Sequence, residues 1–402
     1  MKRISYLKIL DTLRDVHVIK VVTGVRRSGK STILMQFRER LIEQGVERQC
    51  VQSYNLENKL NERYTTDSNL LHDEVLEKLV PDKMNYIFID EVQLIPEFEK
   101  TLDSLFLRDN VDLYVTGSNA DITSSELGTL LSGRYIEVKM QPLTFSEFLD
   151  FFPDTERDSF QKFQWFMRYG GFPEVANMLV AGKQDAVMSY LRGIYNTVLE
   201  EDIRKRKKIR FMDDFRRVVE YMFNNVGNIT SPNNVSNVLR QDNSVIDKET
   251  VAGYLEALSE CYVMYPTQRF DIRGKQLLKT LEKYYMVDMG LVDAVLGLPS
   301  NADSGHRLEN VVFLELYKRY DGRVWVGKNY EKEIDFVVKG GDGTLEYFQV
   351  AETAVGETYD REVASIANTG DKYQKTLLTL DLMETDDGGI RRKNVVNWLM
   401  GK

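Results

Sequence analysis

The chain has 402 residues, of which 43% are hydrophobic and 11% aromatic, and its formal net charge is −9. This length exceeds one ordinary domain, so we expect two or three globular domains with well-filled apolar cores. The acidic balance argues against a surface that is positive throughout, although a local basic patch can still bind nucleic acid. Two distant cysteines and the absence of an apolar run of membrane-spanning length exclude a disulfide framework and predict a cytoplasmic protein with no membrane partner.

Residues 16 to about 143 alternate between β-branched runs and helical segments. Five runs, nearly continuous in apolar residues, are strand candidates; they cover residues 16–24, 50–56, 85–91, 111–118 and 134–140. Apolar runs of this kind are typical of parallel strands that helices cover on both faces. We therefore predict an α/β fold built on a parallel five-stranded sheet, followed by a largely helical segment.

A phosphate-binding loop is predicted where the first strand meets the first helix. GVRRSGKST, residues 24–32, satisfies the pattern G-x-x-x-x-G-K-[ST] in the strand-to-helix context that gives this pattern its meaning. The glycines let backbone N–H groups turn toward phosphates, and the helix N-terminus adds positive potential. Lys30 is expected to reach the β- and γ-phosphates of ATP. The predicted ATP-binding residues are Gly24, Ser28, Gly29, Lys30, Ser31 and Thr32.

Two acids at the end of the third strand candidate support hydrolysis rather than binding alone. YIFIDE ends in Asp90 and Glu91, some sixty residues after the loop. An acid in this place can hold Mg²⁺ together with the Ser31 hydroxyl, and the next acid can orient or deprotonate water. The predicted metal ligands are therefore Ser31 and Asp90, and the predicted catalytic acid is Glu91.

Two further candidate catalytic residues each have an alternative, structural interpretation. In TGSN, residues 116–119, we assign a contact with the γ-phosphate or the attacking water to Asn119, with Ser118 as the second choice; an ordinary turn explains these residues equally well. Arg134, just before the fifth strand candidate, is a candidate arginine finger for a neighbouring subunit. An arginine that anchors a loop is the competing interpretation.

Residues 206–295 predict three small helices followed by a two-stranded ribbon, the outline of a winged helix-turn-helix. The exposed residues of its third helix are mostly acidic, which is unfavourable for reading base edges. Arg269, Arg273 and Lys275 in the hairpin are candidates for phosphate contacts. The basic segment 204–210 is a second candidate for binding DNA, or else a solvated helix end.

Residues 303–402 contain an incomplete set of metal-dependent nuclease residues. Glu309 on a helix and Asp335 on a strand supply two acids, but the next strand reads Gln349-Val350-Ala351. Glutamine is a weaker ligand for a hard cation than a carboxylate, and alanine supplies neither charge nor a proton. We predict a nuclease-like site, Glu309, Asp335 and Gln349, that no longer cleaves DNA.

The phrases YLKIL, VVTGVRRSGKST, YIFIDEVQ, VTGSNA, LSGRY, QPLTFSEFL, RYGGFPE, KYYMVDMGL and EIDFV resemble the AAA+ superfamily. More narrowly, they resemble a bacterial and archaeal family of predicted ATPases with a winged helix and a C-terminal domain related to restriction endonucleases. This resemblance implies a sheet ordered 5-1-4-3-2, ATP and Mg²⁺ as cofactors, Asn119 as a sensor, and Arg134 as a finger in a homo-oligomer. Gly171 and Pro173 would then lie near the nucleotide in a helical lid, unless GGFPE is a packing turn.

The predicted domains are an ATPase core with a helical lid at 1–205, a winged helix at 206–295, and a nuclease-like domain at 303–402. The leading functional hypothesis is a Mg²⁺-dependent ATPase whose nucleotide state controls the last two domains, acting on DNA. One alternative is a slow nucleotide-regulated switch that docks a protein partner. A second alternative is an ATP-gated nuclease.

Overall fold

The computed structural model describes residues 2–118, 133–153, 156–204, 209, 211–241, 246–297 and 304–402. The chain forms two compact units. The first unit comprises Met1–Pro142 with Glu260–Tyr262, and the second comprises Leu143–Ser259 with Val263–Lys402. Within the described ranges, no helix is both long and apolar enough to cross a bilayer.

The first unit is built on five parallel strands in the order β2-β3-β4-β1-β5, the order that the sequence resemblance implied. The strands are β1 (Ile19–Thr23), β2 (Val51–Asn55), β3 (Asn85–Asp90), β4 (Val111–Gly117) and β5 (Tyr135–Lys139). The α-helices are α1 (Ile4–Leu13), α2 (Lys30–Glu43), α3 (Ser68–Glu77) and α4 (Phe98–Phe106). Short 3-10 turns cover Arg48–Cys50, Lys59–Thr65 and Val92–Leu94.

Both faces of this sheet are covered, which explains why its strands are almost continuously apolar. Consecutive strand residues point to opposite faces. Val21 of β1 therefore joins one buried cluster with Ile87, whereas Val22 joins another with Phe37. The parallel register pairs β3 with β4 and β1 with β4 so that the carboxyl ends of all three strands meet at one edge.

The second unit begins with helices that the sequence assigned to a lid. They are α5 (Phe145–Leu149), α6 (Ser159–Tyr169), α7 (Pro173–Val180) and α8 (Gln184–Thr197), followed by a π-helical turn at Val198–Arg204. Reciprocal capping boxes, Thr144 with Glu147 and Asp158 with Gln161, start α5 and α6. Pro173 starts α7, where its missing N–H costs no helical hydrogen bond.

Three helices and a hairpin follow, in the order predicted for residues 206–295. They are α9 (Met212–Asn224), β6 (Ile229–Thr230), α10 (Pro232–Gln241), α11 (Lys248–Glu260), β7 (Met264–Asp271), β8 (Gln276–Met286) and α12 (Met289–Leu296). The short strand β6 pairs antiparallel with β8. Assignment of this segment to the winged-helix class stays a prediction.

The last hundred residues add an α/β layer. Its elements are α13 (Ser304–Arg319), β9 (Val324–Asn329), β10 (Lys332–Lys339), β11 (Leu345–Val350), α14 (Glu357–Ile366), β12 (Gln374–Thr379), β13 (Thr385–Asp387), β14 (Ile390–Asn394) and α15 (Val395–Leu399). In the described part, a nine-stranded sheet runs β13-β14-β12-β11-β10-β9-β7-β8-β6. Because β7 pairs parallel with β9, the hairpin and the C-terminal strands form one sheet.

The GGFPE segment is a site of close packing between α6 and α12. A Cβ at Gly290 would lie 2.1 Å from the carbonyl oxygen of Tyr169, and one at Gly170 would lie 2.0 Å from Oδ1 of Asp288. Asp288 accepts a hydrogen bond from the N–H of Gly171 over 2.6 Å. These contacts support the packing-turn interpretation of this motif.

Candidate functional site

The loop between β1 and α2 adopts a backbone conformation that depends on glycine. Gly24 has φ 140° and Gly29 has φ 105°, both in the left-handed region. A Cβ at Gly24 would lie 2.0 Å from the carbonyl oxygen of Met140, so no larger residue fits there. Gly29 is the N-cap of α2 and has no side chain to occupy the free N–H groups of the first helical turn. These donors form the kind of anion site that phosphate groups occupy.

Lys30 and Ser28 are positioned for an anionic ligand inside this loop. The buried Lys30 ammonium donates to the carbonyl oxygens of Gly24 and Val25 over 2.9 and 3.2 Å. The Ser28 hydroxyl is buried with no hydrogen-bond partner among the described residues, and so is the hydroxyl of Ser118. A buried hydroxyl without a partner is costly unless a ligand supplies one. These residues therefore fit a bound phosphate chain.

The carboxylate of Asp90 is the centre of a hydrogen-bond network at the sheet edge. Ser31 donates to its Oδ1 over 3.0 Å, Thr116 donates to Oδ1 over 2.5 Å, and Asn55 donates to Oδ2 over 3.1 Å. Burial raises the pKa of Asp90, while the hydroxyls of Thr116 and Ser31 partly counteract this rise and the charge of Glu91 adds to it. A cation beside Ser31 and Asp90 would stabilise this carboxylate, so the donor set fits Mg²⁺.

Glu91 directly follows and is held in a strained conformation. Its backbone has φ 58° and ψ 52°, a left-handed geometry that costs a non-glycine residue roughly 1–2 kcal/mol. Its N–H donates to the Thr116 hydroxyl over 2.9 Å, and its carboxylate accepts a hydrogen bond from the side-chain amide of Gln93. Strain of this kind is often found at functional sites, where surrounding contacts maintain it.

Thr116 is a candidate functional residue that the sequence interpretation missed. The TGSN motif was noted, but the role was assigned to Asn119, which lies outside the described residues. The parallel register places Val115 beside Ile89, so Thr116 is next to Asp90. Only the pairing of β3 with β4 reveals this contact between Thr116 and Asp90.

Thr32, the remaining predicted ATP-binding residue, lies in the first turn of α2.

Arg134 lies at the amino-terminal end of the strands, whereas the phosphate loop lies at their carboxyl-terminal end. Its carbonyl oxygen accepts the N–H of Ile19, the first residue of β1. Five strand residues separate that end of β1 from the loop, roughly 16 Å at 3.3 Å per residue. The guanidinium contacts Asp103 and lies 5.6 Å from the ring of Phe106. Its predicted role thus requires a second subunit and stays a prediction.

The predicted nuclease-like residues of the second unit lie together, although without a lysine from the strand itself. Asp335 of β10 accepts the N–H of Val350 over 2.8 Å, and Gln349 of β11 accepts the N–H of Asp335 over 3.3 Å. Gln349 also donates to Glu362 of α14 over 3.0 Å. The sequence interpretation missed Lys283 of β8, whose ammonium donates to Glu309 over 3.0 Å.

The candidate DNA-binding residues of the second unit are only partly described. Arg204 pairs with Glu200 over 2.7 Å, whereas residues 205–208 and 210 of the basic segment lie outside the described residues. Arg273 at the hairpin tip donates to the carbonyl oxygen of Asn368 over 2.7 Å and lies 4.8 Å from the ring of Tyr330. Its guanidinium is therefore engaged within the chain.

The sheet order, the glycine-dependent loop and the Lys30, Ser31 and Asp90 side chains define the first unit as a P-loop domain of the AAA type. Residues 17–149 match the family described as "AAA domain", and residues 160–302 match a domain of unknown function. An "Uncharacterized protein" of Haemophilus influenzae is 35% identical over 404 aligned positions, which cover 100% of this chain and 98% of that protein. The chain belongs to the family of this Haemophilus protein, and its N-terminal part is an AAA domain.

The chain is also similar to more distant proteins. An uncharacterized protein of Methanocaldococcus jannaschii is 26% identical over 95% of this chain and 87% of its own length. Among solved structures, the Walker-type ATPase of Pyrococcus abyssi matches with a TM-score of 0.48 and 15% identity, over 73% of this chain and 95% of that one. The ORC1 protein of Aeropyrum pernix, solved in complex with DNA, matches with a TM-score of 0.35 and 14% identity, over 75% and 93%. These low TM-scores add no weight to the assignment, which rests on the AAA-domain match and the sheet.

Proposed function

We propose that this protein is a Mg²⁺-dependent ATPase that hydrolyses ATP to ADP and phosphate. The observation that carries the proposal is the hydrogen bond from Ser31 to Asp90, 3.0 Å long, together with the electrostatic interaction between Asp90 and the buried Lys30 ammonium. A hydroxyl and a carboxylate next to a phosphate cradle form a magnesium site that substrate phosphates complete. Bound there, Mg²⁺ would supply positive charge to the β- and γ-phosphate oxygens.

The residues of the site have separate roles in this proposal. The N–H groups at the start of α2 and the Lys30 ammonium bind the phosphates and offset their charge. A carboxylate oxygen of Glu91 accepts a proton from the attacking water as its oxygen bonds to the γ-phosphorus. The bond from that phosphorus to the β–γ bridging oxygen breaks, which leaves ADP and phosphate. A bound cation, together with the three hydrogen-bond donors, would favour the charged form of Asp90 and oppose the effect of its burial.

Steady-state ATP hydrolysis by the full chain, measured with MgCl₂ and with EDTA, tests the proposal. Lys30→Ala should abolish nucleotide binding, whereas Glu91→Gln should retain binding and reduce turnover at least about 100-fold, the usual scale for loss of a general base. Lys8→Ala removes an exposed lysine of α1 and serves as the matched charge control. Hydrolysis by Lys30→Ala at the wild-type rate would refute the proposal.

The finer part of the proposal concerns the second unit. We propose that the nucleotide state controls residues 206–295 and 303–402 and that the protein acts on DNA. The three helices and hairpin of the first segment and its basic neighbour at 204–210 support this proposal. Stimulation of ATP turnover by duplex DNA is the expected result. Neutralising Lys205, Arg206, Lys207 and Lys208 together should weaken DNA binding and reduce its salt dependence.

A slow switch that docks a protein partner is the second candidate function. Two observations favour it: the guanidinium of Arg273 is engaged within the chain, and strand β7 of the hairpin is paired with β9. Both reduce the basic surface that a free hairpin would offer to phosphates. Turnover that is slow and unchanged by DNA would favour the switch, whereas strong stimulation would exclude it.

We also propose that the active form is a homo-oligomer, because Arg134 lies too far from the loop of its own chain to act there. Mixing Arg134→Ala with Lys30→Ala subunits tests this proposal. In an alternating assembly the two variants can form a site with both residues intact. Recovery of hydrolysis on mixing supports an Arg134 that acts in trans, whereas equal loss in all mixtures contradicts it.

A further inference from the structure

The acidic cluster of the second unit contains a buried lysine from a different part of the chain. Lys283 lies on β8, and its side chain is only 6% exposed. Its ammonium lies 3.0 Å from Oε1 of Glu309 on α13 and 2.7 Å from Oε1 of Glu333 on β10. Asp335, two residues after Glu333 on the same strand, also interacts electrostatically with this ammonium. Three carboxyl groups from two elements therefore face one lysine.

Burial makes this cluster dependent on an internal positive charge. Burial raises the pKa of Asp335 well above its usual range, the charge of Glu309 raises it further, and Lys283 partly counteracts both effects. Burial alone would lower the pKa of Lys283, but Glu309, Asp335 and Glu333 together raise it above its ordinary value. The lysine is thus held charged by the same carboxyl groups that it stabilises.

The position of Lys283 is determined by the docking of β8 against α13. Alternate strand residues share a face, so Lys283 and Tyr285 both point toward Glu309. Tyr285 donates a hydrogen bond to the same Glu309 oxygen over 2.5 Å. The next residue of α13, Asn310, accepts the N–H of Met286 over 2.7 Å and donates to its carbonyl oxygen over 2.9 Å. The lysine is therefore part of an ordered interface.

Gly227 lies beside the second carboxylate oxygen of Glu309. A Cβ at this glycine would lie 3.6 Å from Oε2 of Glu309 and 3.0 Å from the His306 ring. Among the described residues, no three His, Cys, Asp or Glu side chains are arranged to hold a metal ion. The ammonium of Lys283 instead occupies the space that Glu309 and Glu333 share.

We propose that Lys283 is the resident cation of this cluster, and that its ammonium takes the place of a divalent metal ion between Glu309, Glu333 and Asp335. A tethered ammonium is present at high effective concentration, so a free metal ion must compete with it. The wild-type cluster therefore binds no divalent ion and does not cleave DNA, and the lysine ties the hairpin to the C-terminal strands. This inference does not rest on the proposed ATPase function.

Mn²⁺ binding to the nucleotide-free full chain, followed by electron paramagnetic resonance, tests the proposal. Lys283→Met keeps the apolar stem and removes the charge, so it should gain a Mn²⁺ site that is absent from the wild type. Carboxylate ligands favour such hard cations. The gain should disappear in the double variant Lys283→Met with Glu309→Gln. Binding at Ser31 and Asp90 is common to all variants and cancels in this comparison.

Two results would overturn the proposal: wild-type Mn²⁺ binding that Glu309→Gln abolishes, or a folded Lys283→Met protein that gains no site. If Lys283→Met does not fold, the double variant decides. Removing one acid together with the lysine should restore folding, because the uncompensated buried charge is then reduced. A double variant as unstable as the single one, by urea unfolding, would show that Lys283 does not act through Glu309.

Discussion

The guanidinium of Arg3 donates a hydrogen bond to the main-chain carbonyl oxygen of Ser28, inside the phosphate loop, over 3.2 Å. It also donates to the carbonyl oxygens of Gln141 and Pro142 over 2.7 and 3.1 Å, and it lies 4.5 Å from the ring of Tyr6. One buried cation therefore fixes the loop against the segment that follows β5. An ordered loop binds phosphate at a lower entropic cost than a mobile one.

Arg3→Gln should raise the dissociation constant of ATP about tenfold, equivalent to roughly 1.4 kcal/mol. The shorter amide cannot reach three carbonyl oxygens, so the loop loses its support. Arg48→Gln removes an exposed arginine of the same unit and should leave the affinity unchanged. Equilibrium titration with a fluorescent ATP analogue measures both. Unchanged affinity in a folded Arg3→Gln protein would show that the loop does not depend on Arg3.

Thr116→Val should impair both stability and turnover. The substitution removes the hydroxyl that donates to Asp90 and accepts the N–H of Glu91. A buried N–H without an acceptor costs about 1–3 kcal/mol, so the free energy of unfolding in urea should fall by this amount. We expect kcat to fall while KM for ATP changes little. Thr116→Ser retains the hydroxyl and should restore both quantities; equal loss in both variants would contradict the role.

Gly290→Ala should destabilise the protein, whereas Gly253→Ala should not. A Cβ at Gly290 would lie 2.1 Å from the carbonyl oxygen of Tyr169, but a Cβ at Gly253 in α11 has no atom within 4 Å. Alanine is the better helix former by about 1 kcal/mol, so Gly253→Ala should be neutral or stabilising. Thermal unfolding compares the two. Similar melting temperatures would mean that α6 and α12 can separate without cost.

Asp288 should make stability depend on pH. Burial raises the pKa of Asp288 to about 7, although the N–H groups of Gly171, Leu291 and Gly290 oppose this rise. An unfolded aspartic acid has a pKa of about 3.9. Between these values the native state holds one more proton than the unfolded state, so this stabilising contribution decreases as the pH rises.

The free energy of unfolding of the wild type, relative to Asp288→Asn, should therefore decrease by about 1.4 kcal/mol per pH unit between pH 5 and 7. Above pH 7 the difference should become constant, because both states are then ionised. Urea unfolding at several pH values measures it. A difference that does not change with pH would show that Asp288 ionises normally in the folded chain.

The candidate ATP site was largely predictable because most of its residues lie in two short segments of the chain. Residues 24–32 form one loop and one helical turn, and Asp90 and Glu91 end one strand. Thr116 was harder, since its partner is set by strand pairing. The nuclease-like acids were found, yet Lys283 was not. A hydrogen bond joins it to Glu309, 26 residues away, and no periodicity in the sequence signals that contact.

By itself the sequence determined the order of the elements and the phosphate-loop chemistry, because strand length, apolar pattern and glycine placement act over a few residues. Only the tertiary structure decided which distant side chains meet. Arg3 reaches Gln141 across 138 residues, and Lys283 enters a cluster that sequence alone had left without a lysine. Such contacts depend on how strands pair and helices pack. The packing of the whole unit determines both.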